Sequence, residues 1–501
     1  MEGLKKIFSS KVIFYIILFL FALFLSSLND NYDYDLYARL IVGEHFFNTG
    51  WISYNDFLSY TPTHTWYDHE WGASLIFYFF YKIFGNFGFI LVQALTIFIT
   101  TFFVIKTQKL QNKSFPVSPA FIVLFMSLYS YQNPNIVRCQ MFSFMLCAML
   151  IYILEKTRKT DSKLIWLMPL IFMIWNNIHG GVVAGLGLIF IYMVAEFLSG
   201  KPWKQYFFVL LITLPLLLIN PYGFEYLKFL LLANTKNRMH IAEWWHVFAK
   251  WHVVYYYPVF FMSLFIALIS LFDNLKNKKI DITKVLVVII CVLAGILKVK
   301  LLSLSLIVVA SFCYKEFIQL FTKNIIKTLN KISLIFCLTA ILLIPLTFPA
   351  SARTNLERFP VLEVEFIKQN KIKGNILSQF GLSSYISYKL YPQNLIYMDG
   401  RYEEVYYDNE LDNLRYFEIV DSEKWDRVLK EYPTQILIIN KESLIYKHLL
   451  KNSEWKKVYE GNLCGVFLPK DFGISKKYLL PTTDINYYRK NEFEKLGKFG
   501  K

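Results

Sequence analysis

The sequence predicts a polytopic α-helical membrane protein of about eleven spans, followed by a small α/β domain after residue 348. Three observations lead there. Hydrophobic residues make up 55% of the 501, and the mean hydropathy is +0.38, too apolar for a soluble chain of this size. These residues are gathered into long runs rather than spread evenly. After Pro349 the runs shorten to strand length and alternate with helical patterns.

The first apolar run, Lys11 to Leu28, follows Lys5 and Lys6. It is too long for a signal peptide and has no small-residue cleavage site, so it is expected to be a retained span. Further spans are expected at about 87–105, 119–132, 141–154, 164–176, 180–198, 206–220, 254–272, 284–297, 301–314 and 331–348. With the N-terminus in the cytoplasm, the loops carrying Lys106 and Lys109, Lys156 to Lys163, Lys201 and Lys204, Lys276 to Lys284, and Lys315 to Lys331 all fall inside. That is the positive-inside pattern. It requires that residues 72–85, GASLIFYFFYKIFG, do not cross; they are expected to form an interfacial or re-entrant helix.

The net charge of +16 does not signal nucleic-acid binding. From residue 350 onward 24 Lys and Arg face 21 Asp and Glu, so the excess sits in the short loops that set topology. The six cysteines are scattered without a CxxC pair, and neither a zinc site nor a disulfide framework is indicated.

The stretch 29–71 stands apart. It carries Asp30, Asp33, Asp35, Glu44, Asp56, Asp68 and Glu70, with His45, His64 and His69, and Arg39 is its only fixed positive charge. Carboxylates between apolar spans are costly unless they face water or do chemistry. Asp33 and Asp35, just after the first span, can present one carboxylate to a metal or acceptor while the other orients a neighbour; a solvated acidic loop is the plainer reading. Asp35 opens the helical stretch DLYARLIVGEHFF, whose free N–H groups would favour its ionised form, so Asp33 is expected to be the better base. Asp56, His69 and Glu70 lie among Trp and Tyr, which suit either a membrane interface or the faces of sugar rings.

Other loops expected on the same side hold candidate phosphate-binding residues. Arg138 follows Asn133-Pro134-Asn135, and Lys298 and Lys300 form a KVK turn. Such cations hold phosphate, or else snorkel to anchor a helix end. His179 before Gly180-Gly181 could act on phosphate or cap a helix-to-helix turn. Glu243-Trp244-Trp245-His246 reads as interfacial, and Asp399-Gly400-Arg401 as a turn with an ion pair. Beyond Pro349, strands are expected at 375–378, 394–398, 435–439 and 465–468, with a helix over 422–432 and a charged tail from about 471.

The acidic first loop, and the order of span, acidic loop, many spans and outer domain, resemble the GT-C superfamily of polytopic glycosyltransferases. DYDLYARLIVGEHFF and its continuation to Trp71, RCQMFSF, NNIHGG, NPYGFEYL, AEW and MDGRYEEVY are similar to a group of bacterial GT-C-like membrane proteins. The resemblance implies a domain at 1–348 with the acidic loop at 29–71, and an extracytoplasmic domain at 349–501. It implies a bacterial cytoplasmic membrane location and a polyprenyl-phosphate sugar donor. The acceptor would be a glycan, lipid or protein on the outer face of the membrane. Asp33 or Asp35 would be the base or a metal ligand, while Arg138, His179, Lys298 and Lys300 would hold the donor phosphate with His69, Glu70 and Asp56 nearby. A divalent metal is compatible with this set but not indicated. The 132–140 loop departs from the superfamily pattern: Arg138 and Gln140 stand where a second carboxylate is common. The alternatives are a non-catalytic scaffold of the same fold, and a transporter or assembly factor that binds lipid-linked glycan; the absence of a visible repeat and of mid-span charges favours the enzyme.

Overall fold

The computed structural model describes residues 10–28, 32–112, 115–132, 137–235, 242–249, 251–276, 280–351, 355–420, 423–473 and 478–482. Asp30, Asn133 to Asn135 and most of the tail after 471 therefore lie outside the described residues. The chain divides into two compact units, Met1–Asn29 with Phe89–Ala352, and Asp30–Gly88 with Arg353–Lys501.

The first unit is helical. A helix lies over each of the eleven apolar runs named above, from Ser10–Ser27 to Lys323–Ser351. Among the described residues four are long and apolar enough to cross a bilayer: Phe87–Gln111, Gln140–Thr160, Val254–Lys276 and Lys323–Thr347. The others run from eleven to eighteen residues. Small residues let helices approach. A side chain added at Gly185 would meet Trp175 and Phe172, and one at Gly295 would meet Ser305 and Leu302. Some polar side chains inside the bundle are satisfied by their own helix: Thr100 and Thr101 donate to the carbonyls of Thr96 and Ile97 at 2.7 and 2.8 Å.

Charges inside this unit are paired. Arg158 donates to Glu155 at 2.9 Å and to Asp281 at 2.8 Å, and Tyr192 OH donates to Glu155 at 2.9 Å. Thr283 Oγ1 donates to Glu196 at 2.6 Å. This network ties the helices Gln140–Thr160, Val182–Leu198 and Ile282–Leu297 together. Left unpaired in so apolar a setting, each of these groups would be strongly destabilising.

The second unit is built on a four-stranded sheet of order β1-β2-β4-β3, with β1 Ile376–Ser378, β2 Ile436–Asn440, β3 Trp455–Glu460 and β4 Cys464–Pro469. β1 and β2 run parallel; β2–β4 and β4–β3 are antiparallel. The expected strand at 394–398 is not a ladder strand. Ile396 makes single parallel bridges to Ile376 on one side and Ser59 on the other. The expected helix over 422–432 is reduced to Arg427–Glu431, preceded by turns from 423.

The acidic 30–88 segment belongs to this second unit, not to the bundle whose spans flank it in sequence. Ile396 N–H donates to Leu58 O at 2.9 Å and Tyr60 N–H to Ile396 O at 3.1 Å, so the segment meets the β1 edge of the sheet through isolated bridges. Val42 and Trp66 share a core with Leu377, Tyr397, Leu437 and Phe467. Its two helices, Leu36–Thr49 and Trp71–Phe84, pack closely because Gly43 meets the backbone of Ser74; any side chain there would clash. The stretch expected to be a short interfacial or re-entrant helix is thus a fourteen-residue helix seated on the Leu36–Thr49 helix.

Candidate active site

In the second unit the carboxylates of the acidic segment fall into two groups. The first is Asp33 and Asp35. The Leu36–Thr49 helix starts with Asp35 as its N-cap, but the Asp35 side chain makes no capping hydrogen bond. Asp33 does the local structural work: its Oδ1 accepts the Asp35 N–H at 2.8 Å and its carbonyl accepts Leu36 N–H at 3.2 Å. Asp33 is buried, at 7% exposure. The Asp35 carboxylate instead lies against the backbone of Gly400, so closely that a Cβ at that position could not be accommodated. This is the physical requirement behind the glycine in Asp399-Gly400-Arg401.

The second group is a buried ionic network that joins the segment to the C-terminal part of the unit. Arg39 donates to Asp68 at 2.5 Å and lies 3.6 Å from Glu70 and 3.8 Å from Glu404. Glu404 accepts Trp66 Nε1–H at 2.7 Å, and His69 Nδ1 lies 2.8 Å from its other oxygen. Arg401 donates to Asp56 at 2.7 Å and to Asp399 at 2.8 Å, and its guanidinium sits 4.6 Å from the Trp66 ring centre. Tyr406 OH accepts from Arg401 at 3.2 Å and meets Ser59 Oγ at 2.5 Å.

Electrostatics divide these carboxylates. Burial pushes the Asp68 carboxyl up to about 6, with Arg39 pulling it down and Glu404 adding to the rise. Burial works against the charge on Glu404 too, yet His69 and Arg39 hold it down at about 2. Burial likewise opposes the charge on Asp56, but Arg401 and donors from Ser59 and Leu58 hold that carboxyl below its ordinary value.

In the first unit the expected phosphate-binding residues fall at two places. Arg138 donates to Glu243 at 2.5 Å. Lys298 and Lys300 both sit over the ring of Trp244, at 4.4 and 3.0 Å from its centre. Burial opposes the charge on Glu243, and Arg138 and then Lys300 outweigh it, holding the carboxyl below its usual value. Arg138, Glu243, Trp244, Lys298 and Lys300 therefore form one cluster, with Arg138 and Lys300 acting on the Glu243 carboxylate and Lys298 on the Trp244 ring.

His179 sits elsewhere. Its Nδ1 accepts Gly181 N–H at 2.9 Å and meets Ser143 Oγ at 2.7 Å, and Ser143 in turn accepts Trp175 Nε1–H at 2.8 Å. That contact places the imidazole proton on Nε2 and makes His179 a cap of the turn between two helices. A side chain on Gly181 would strike both Ser143 and the imidazole.

Several participants were not singled out from sequence. Arg39, Asp68, Trp66, Glu404 and Tyr406 carry the ionic network, and the sequence marks only the charges of Arg39 and Asp68 and the aromatic character around Trp66. Glu243, which the sequence places among interfacial aromatics, forms an ion pair with Arg138.

No family model matches the chain, and no curated protein matches its sequence. Solved structures do. The chain is a helical membrane protein that shares its fold with two solved glycosyltransferases. The oligosaccharyltransferase of Archaeoglobus fulgidus in its apo form superposes with a TM-score of 0.58 over 85% of this chain and 69% of that one, at 10% identity. The mycobacterial arabinofuranosyltransferase AftD superposes with a TM-score of 0.53 over 91% of this chain, at 12% identity; this chain spans only 40% of that protein. At such identities the fold is what is shared.

Proposed function

We propose that the chain is a membrane glycosyltransferase that moves a sugar from a polyprenyl-phosphate-linked donor to an acceptor hydroxyl on the outer face of the cytoplasmic membrane, in building the cell envelope. The observation that carries this reading is Asp35. It is a carboxylate placed at a helix start just after the first apolar helix, and it lies against the backbone of Gly400. A fold alone does not specify an activity; a carboxylate in the loop where GT-C enzymes keep theirs is the chemical feature that supports this one.

In this reading Asp35 takes the proton of the acceptor hydroxyl as that oxygen attacks the anomeric carbon. Asp33 fixes the backbone from which Asp35 projects. The bond from the anomeric carbon to the lipid phosphate breaks, and negative charge collects on the departing phosphate. Arg138, Lys298 and Lys300 are the cations suited to that charge, with Glu243 holding Arg138 in place until the donor arrives. His179 caps the turn between its two helices rather than moving a proton. The carboxylates of Asp33 and Asp35 are also ligands that a hard divalent cation accepts, and such an ion would polarise the bound phosphate.

The test is direct. Purified protein is given candidate polyprenyl-phosphate sugars and an acceptor, and release of the lipid phosphate is followed. Release that is lost in Asp35→Asn, with the protein still folded, supports the proposal. Donor binding without release in wild type would leave the scaffold or assembly-factor reading.

A further inference from the structure

The helical unit contains a groove of about 850 Å³ that the proposed transfer does not use. Its walls come from three helices: Ile13 and Ile17 on Ser10–Ser27, Val123 on Pro119–Gln132, and Leu334 on Lys323–Ser351. The last of these helices is open to its surroundings, since only 17% of its apolar window is buried. A span so apolar and so exposed faces lipid.

One end of the groove is polar. Its neutral groups are already matched. Ser118 Oγ donates to Asn330 Oδ1 at 2.6 Å, Ser118 N–H donates to Tyr314 OH at 2.7 Å, Tyr314 OH donates to Pro116 O, and Ser333 Oγ donates to Asn330 O at 3.0 Å. What remains are Lys323, Lys327 and Lys331. They lie at i, i+4 and i+8 on one helix face, a ladder of about 12 Å. All three are exposed, none has an ion-pair partner among the described residues, and no Asp or Glu lines the groove there.

We infer that this groove is a binding site for an anionic diacyl phospholipid of the surrounding bilayer. The phosphate headgroup sits on the lysine ladder and one acyl chain lies along the wall of Ile13, Ile17 and Leu334. Ammonium groups bind phosphate as point charges, and unmatched lysines at a membrane surface draw anionic headgroups. A free phosphate would leave the apolar wall unused. A neutral or zwitterionic lipid would leave the ladder without a net counter-charge. The groove opens to the bilayer, where diacyl phospholipid is the abundant phosphate-bearing lipid.

The test uses the full-length protein in detergent, stripped of lipid, with native mass spectrometry and thermal unfolding as readouts that need no enzymatic activity. Phosphatidylglycerol is expected to bind and to raise the melting temperature, and phosphatidylcholine with the same chains to bind at least about tenfold more weakly. Lys323→Gln/Lys327→Gln/Lys331→Gln should abolish that preference. Leu334→Trp, which fills the wall and keeps the lysines, should weaken phosphatidylglycerol while leaving the protein folded, so a failure of the triple variant to fold does not end the test. Equal binding of the two phospholipids overturns the inference. So does binding of glycerol phosphate as tight as that of the lipid, which marks a free-phosphate site. Tighter binding of a polyprenyl phosphate than of phosphatidylglycerol also overturns it.

Discussion

Arg401 and Asp56 stand 345 residues apart in the chain and 2.7 Å apart in space, both with side chains at 1% exposure. The pair closes the acidic segment onto the C-terminal part of its unit. Arg401→Ala would leave Asp56 and Asp399 buried without their cation. Breaking such a pair from one side costs about 3–5 kcal/mol. The expected outcome is a large fall in melting temperature and faster proteolysis of both parts of the unit. Arg401→Lys keeps the charge but loses the fork that reaches both carboxylates, and should fall between.

Glu404 and Asp68 make opposite predictions for pH. The Glu404 carboxyl is held at about 2 when folded, so the unfolded chain binds the proton more readily. Its contribution is present above the unfolded value and is lost as pH falls from about 4.5 toward 2. The Asp68 carboxyl is raised to about 6, so here the folded state binds the proton more readily. Its effect on stability is favourable at low pH and fades as pH rises from about 4 through 6. Denaturant melts across pH should show both limbs. Glu404→Gln should flatten the lower one and Asp68→Asn the upper one.

Asp33 and Asp35 should separate. Asp35→Asn is expected to cut turnover by roughly 100-fold or more with melting temperature preserved, as loss of a general base does. Asp33→Ala should act mainly on the fold, because Oδ1 holds the Asp35 N–H, whereas Asp33→Asn keeps that acceptor and should cost little in turnover or stability. Equal losses of turnover with equal stability would assign the proton transfer to neither residue alone.

Arg138→Ala should weaken donor binding by about tenfold or more, and Arg138→Lys by less, because only the guanidinium offers two parallel donors. Direct binding of a polyprenyl-phosphate sugar measures both. Unchanged affinity would show that Arg138 serves only to hold Glu243.

Topology can be read with introduced thiols, since all six native cysteines are buried. Asp426→Cys should react with a membrane-impermeant reagent in intact cells and Lys159→Cys should not. The reverse pattern would place the C-terminal unit inside.

Much of the fold was legible because membrane helices announce themselves one segment at a time: each apolar run carries its own signal, and a helix lies over every one. The C-terminal strands at 376–378, 436–440 and 464–469 were legible for the same reason. β3 was not, since Trp455–Glu460 is an edge strand whose two lysines point to solvent, and hydropathy does not see it. Residues 394–398 misled in the other direction. They are apolar because they are buried between Ser59 and Ile376, not because they form a ladder. The site was half legible. Acidic residues in one loop stand out by composition, but their partners do not. Nothing local ties Trp66 to Glu404 or Arg138 to Glu243, and those pairings exist only once the chain has returned on itself.

That return has a consequence for synthesis. Trp66 Nε1–H finds its acceptor in Glu404, 338 residues further along. At about 5–20 residues per second, the ribosome takes roughly 20–70 seconds to make the chain between them. Throughout that interval the acidic segment has been made but its sheet neighbour, its core and the cation for Asp56 have not. Its seven carboxylates must wait as a solvated loop while the intervening apolar helices are made. A nascent chain stopped short of Arg401 would hold every helix of the bundle and none of the folded second unit.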